Sequence, residues 1–272
     1  MSWLDKVTRD PRPLYIITLI VLVFPLINPI ALPIPISDWT RGMYDFIEDM
    51  APEERILLTG HWGYRYGELY PQFLAVLEHC ARKGVKIVIL DGSPETPTFT
   101  QAAFKELSIP ERLEYGVDYI ELGYLPGGEV MIAGLCANFY SIVQKDYFGN
   151  LLSEMEITTD IKDIRDFAAV IVFTGSADSQ SWLNQAYAPY GVPVGHSLYA
   201  AKVVDSEAYF RAGAIFGIIN GLRGSAEYEL LINRPGVGAS MMGSASLVHL
   251  LVIFALALGA VAFLQQKMQG RA

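Results

Sequence analysis

At 272 residues the chain has room for one large domain or two small ones. With 52% apolar and 18% charged residues and a mean hydropathy of +0.30, it is not a disordered chain and is richer in apolar residues than an ordinary soluble enzyme. A net charge of −9 argues against nucleic-acid binding by phosphate neutralisation, and the spacing of Cys80 and Cys136 excludes a Cys-x-x-Cys site.

The apolar excess sits at the two ends. From Leu14 to Ile36 no residue is charged, and a helix of that length reaches about 35 Å, enough to cross a bilayer. Pro25, Pro29, Pro33 and Pro35 crowd its second half, so the sequence predicts a helix from Pro13 that kinks near Pro25 and leaves as an extended strand. No small-x-small cleavage site precedes Ser37, which favours a retained anchor over a signal peptide. A second uncharged run, Leu247 to Leu264, reaches about 27 Å as helix. Its His249 reads as an interfacial polar group.

Orientation follows from the tails. Lys6, Arg9 and Arg12 precede the first span, and Lys267 and Arg271 follow the second. The positive-inside rule places both tails in the cytoplasm. The expected layout is a cytoplasmic tail (1–12), a Pro-kinked span (13–36), an extracytoplasmic domain (37–245), a second span (246–265) and a short tail (266–272). The lipid bilayer is then a partner by construction.

Within 37–245, strands and helices alternate. Ile56–Gly60, Val85–Leu90, Tyr119–Tyr124 and Ala168–Phe173 read as strands, with a fifth at Val192–Ala200. Helical patterns fall at Pro71–Lys83, Thr98–Leu107, Glu129–Val143, Ser179–Tyr187 and Glu207–Leu231, and 144–167 is an acidic excursion. Near-continuous apolar strands between helices predict a mostly parallel five-stranded sheet in a three-layer Rossmann- or flavodoxin-like domain, with order 2-1-3-4-5 preferred. On that topology Cys80 and Cys136 lie on opposite faces as buried free thiols.

In such sheets ligands bind at the carboxyl ends of the strands. The loops there supply His61, Trp62 and Arg65, then Asp91, then Gly127 and Gly128, then Ser176 and Asp178, and His196. These are the candidate ligand-binding residues, suited to an unidentified small molecule. Each also has a plainer reading. Glu129 complements the helix dipole after Gly127-Gly128 and would repel an anion, Ser176 or Asp178 serves as an N-cap, and His79 is solvated on a polar helix face. Ser176 or Ser197 with His61 or His196 would suit a hydrolase, but no Gly-x-Ser-x-Gly elbow is present. Phosphate-binding glycine fingerprints and metal-ligand spacings are lacking too, so neither a cofactor nor a metal is expected.

A stronger signal lies in Gly213, Gly217 and Gly221, spaced as a bare stripe on the expected last helix of the domain. It packs either against the sheet or against another subunit. Ala255 and Gly259 repeat the spacing in the second span. These five residues form the candidate interface. Together the features point to a non-catalytic membrane-anchored subunit that associates with itself or with another membrane subunit. A ligand-sensing module is the alternative.

Overall fold

A computed structural model of the chain describes residues 12–28, 34–64, 67–268 and 270. Helix α1 is Arg12–Ile27 and contains Pro25. Helix α2, Asp38–Asp49, starts where the Ser37 hydroxyl accepts the Thr40 N–H. Then come β1 (Arg55–His61), α3 (Leu69–Lys83), β2 (Lys86–Asp91), α4 (Thr96–Glu106), β3 (Tyr119–Tyr124) and α5 (Gly128–Ala137). The second half holds β4 (Ala169–Thr174), α6 (Asp178–Trp182), β5 (Val194–Leu198), α7 (Val203–Arg211), β6 (Ile218–Asn220), α8 (Gly221–Leu231) and α9 (Val237–Met268). Gly84 ends α3 in the left-handed region at φ 73°, donating to the Cys80 carbonyl. A π-helical turn, Leu183–Tyr187, continues α6.

The fold is α/β, with every strand pair parallel. The sheet departs from the expected topology in two ways. It has six strands, not five, and its order is β3-β2-β1-β4-β5-β6 rather than 2-1-3-4-5. The sixth strand lies inside the stretch expected as one helix from Glu207 to Leu231, which is in fact α7, β6 and α8. The glycines therefore share no helix face. Gly213 turns the chain after α7 at φ 72°, Gly217 leads into β6, and Gly221 opens α8 at φ 50°. Their spacing of four is coincidental, and the premise for a glycine-stripe interface is removed.

Two apolar layers sandwich the sheet. One face packs on α2, α3, α4 and α8 through residues such as Ile47, Phe73, Phe104 and Tyr228. The other packs on α5, α6 and α7 and on the 144–167 excursion, whose Leu152, Ile157, Ile161 and Ile164 are buried. Cys80 lies in the first layer and Cys136 in the second, both free and buried, as the sequence predicts. His79 is not solvated: it is buried, 2.8 Å from the Tyr228 hydroxyl and 3.1 Å from a Glu48 oxygen.

The C-terminal helix is longer than expected. It runs 32 residues, about 48 Å, and its first turns are buried against α8 before it emerges. Val237–Gln265 is one helix long and apolar enough to cross a membrane. Helix α1 is apolar and shorter, and it packs along α9, where the Ser244 hydroxyl donates to the Leu22 carbonyl at 2.9 Å.

Candidate functional site

With this strand order the sheet reverses direction of growth between β1 and β4, and a crevice forms at their carboxyl ends. His61 and Thr174 are register partners there. His61 is buried, and its Nδ1 stands 3.6 Å from Asp178 Oδ2. The Trp182 indole N–H donates to His61 Nε2 at 3.3 Å, with the Thr59 hydroxyl 2.9 Å from the same nitrogen. Nε2 is thus the acceptor, and Nδ1 carries the hydrogen toward Asp178. Burial lowers the His61 pKa, keeping the ring neutral despite the nearby carboxylate.

Asp178 gathers the loop. The Ser176 hydroxyl donates to its Oδ2, the Thr174 hydroxyl donates to the same oxygen at 3.3 Å, and the Ser176 N–H donates to Thr174 Oγ1 at 3.0 Å. Neither Ser176 nor Asp178 is the N-cap of α6. That position belongs to Ala177, and Asp178 sits in the first turn. His61 has no free nitrogen to take a proton from Ser176, whose hydroxyl donates to Asp178 instead, so this network fixes the loop.

A cleft of about 330 Å³ opens beside this network, lined by Ser176, Gln180, His196, Lys202, Ser206 and Tyr209 among others. His196, buried on β5, has Nδ1 2.8 Å from the Ser206 hydroxyl; the Ser179 backbone lies near the ring, and Nε2 makes no well-aligned hydrogen bond among the described residues. Burial pushes its pKa down to about 4, so the ring is neutral at pH 7. Hydroxyl, amide, imidazole and ammonium groups in one cleft suit a small polar ligand. Trp182 beside His61, and Gln180, Lys202, Ser206 and Tyr209 in the cleft, carry no signal in the sequence, since they lie in helical segments beyond the loops that end the strands.

The remaining candidates do not join this cluster. Trp62 is a core residue, its ring 5.3 Å from Phe73 and 5.8 Å from Phe173. Arg65 lies outside the described residues. Gly127 and Gly128 form an exposed turn with φ of 127° and 54°, and Glu129 in the first turn of α5 accepts from the Gln185 amide at 3.0 Å. Asp91 is on the opposite sheet face, where Oδ1 accepts the Thr100 hydroxyl at 2.8 Å. Its Oδ2 and Oε1 of Glu121 on β3 are both buried without a hydrogen-bond partner among the described residues, and the two carboxyls lie close enough for the charge on one to oppose ionisation of the other. Burial drives Glu121 up to about 9 and Asp91 to about 6, with Asp91 and Asp146 adding repulsion at Glu121. Asp91 stands out in the sequence as a strand-end residue, whereas its partner shows only as one acid inside the strand Tyr-Ile-Glu-Leu-Gly-Tyr.

Among the described residues, no group of three or more His, Cys, Asp or Glu side chains is placed to hold a metal ion. Comparison of the chain with known protein families, curated proteins and solved structures finds no match.

Proposed function

We propose that this chain is a non-catalytic membrane-anchored subunit. Spans at 13–36 and 246–265 hold a Rossmann-like domain, residues 37–245, on the extracytoplasmic side, with the tails at 1–12 and 266–272 in the cytoplasm. The domain is displayed within a homo-oligomeric or heteromeric membrane assembly. The observation that carries this reading is the continuity of α9, whose first turns are buried in the domain while Leu250, Ile253, Phe254 and Leu256 beyond them are exposed apolar side chains. The pairing of α1 with α9 supports a second span. On α9, Ala255 is half-buried, whereas Gly259 has open space where a Cβ would stand, a notch a neighbouring helix can enter.

A second reading, a small-ligand sensing module, is favoured by the cleft where the buried, neutral His196 meets Ser176, Gln180 and Lys202. Native mass spectrometry of the full chain in mild detergent separates the two. A discrete multimer or a reproducible partner mass supports the subunit reading. A monomer carrying a defined small-molecule mass rejects it in favour of the sensing module.

A further inference from the structure

A parallel sheet has two unlike ends, and the contacts fix which end the apolar helices leave from. Just before α9 a Cβ on Gly236 would meet Glu229, and just inside α9 one on Gly238 would meet Ser225. Advancing along α9 therefore means retreating along α8 toward Gly221, which directly follows β6 at the carboxyl end of the sheet. Beyond that point Ser244 reaches α1. The other connection arrives at the same end. Ser37, where the chain from α1 enters α2, donates its N–H and hydroxyl to Glu227 at 3.1 and 2.6 Å and shares a cleft with Asn220 and Arg223.

The surface of that end is unlike the other. Tyr64 follows β1, Tyr124 ends β3, Val130 opens α5, Tyr199 follows β5 and Val204 opens α7, all exposed and all on the carboxyl rim. Val130 is 82% exposed and Val204 77%, which water alone does not favour. Tyr147 extends the belt beside β3, where its N–H donates to the Glu121 carbonyl and its ring lies against Gly123, while Phe148 turns back toward Tyr115 before β3. At the opposite end, loops 51–54, 107–118 and 160–168 carry no exposed large apolar side chain among the described residues and present Glu53, Glu54, Glu114, Asp160 and Lys162. Tyr187 ahead of β5 and Val237 at the start of α9 are exposed there at 36% and 39%, and no apolar side chain described at that end approaches the exposure of Val130 or Val204. Tyrosine with scattered aliphatics is the composition that settles at a lipid–water interface.

We propose that the carboxyl rim of the sheet rests on the bilayer, with Tyr64, Tyr124, Val130, Tyr199 and Val204 in the interfacial layer, so that the His196 cleft opens toward lipid headgroups. The proposal rests on the two-span reading. Glu95, Glu129, Asp178 and Asp205 on the same rim make the contact apolar in origin rather than an attraction to anionic lipid.

The test uses the full chain in phosphatidylcholine vesicles, carrying one spin label at a time at Val130→Cys, Val204→Cys, Asp160→Cys or Ile253→Cys. Cys80 and Cys136 are buried, with thiols pushed up to about 12, and stay unlabelled. Accessibility to oxygen, which partitions into lipid, is compared with accessibility to a water-soluble nickel chelate. The expected result is a several-fold higher oxygen-to-nickel ratio at 130 and 204 than at 160, approaching that at 253. A watery signal at 130 and 204 with a lipid signal at 253 overturns the rim contact and leaves the spans standing. Protection of 130 and 204 from both probes shows a second copy covering the rim and also overturns it. A watery signal at 253 removes the span reading and the proposal with it.

Discussion

At Gly217 the edge of the sheet lies directly against the backbone of α2. A Cβ there would stand 2.4 Å from the Met43 backbone nitrogen, with no flexible side chain to give way. Gly217→Ala is expected to destabilise the domain by about 1–3 kcal/mol, as overpacking does. The check is a lowered midpoint of thermal unfolding with unchanged oligomer mass, the reverse of what an interface glycine would produce. At this scale the sequence was legible in part. His61, Ser176 and Asp178 converge because all loops after parallel strands share one end. Trp62 and Asp91 point elsewhere because side chains alternate across a sheet, and loop position does not reveal the face. The glycine spacing misled because a four-residue repeat looks helical even when turns and a strand produce it.

Glu229 holds the start of α9. Its carboxylate accepts the backbone N–H groups of Gly236, Gly238 and Ala239 at 2.8, 2.8 and 2.7 Å, satisfying donors that a helix start leaves without an intrahelical partner. Burial raises its pKa, and these three donors pull it back. Glu229→Ala leaves buried amides unpaired at an expected cost of about 1–3 kcal/mol. Hydrogen exchange is the readout: amides at 236–240 lose protection while those of β4 keep theirs. The regular elements were readable from apolar periodicity, and β1 to β5 fall where the pattern put them. Strand β6 has three residues, below the length at which alternation is visible, and it is recognised only through its pairing with β5.

For the whole molecule, the Asp91–Glu121 pair ties stability to pH. Glu121 titrates near 4.5 in an unfolded chain and at about 9 in the folded one, so the native state binds the extra proton between those values. Stability therefore falls as pH rises through that window and is fully present below it. Glu121→Gln keeps the shape and removes the titration, and its melting temperature in detergent is expected to vary less than wild type between about pH 5 and 9. A different property follows from α9. The helix passes from beneath Glu229 and Ser225 through its contact with α1 without a break. A domain on a flexible tether averages away any turning of its anchor. Here a twist applied to the far end of α9 arrives at α8 and β6 as torque, and the outer edge of the sheet must turn with it.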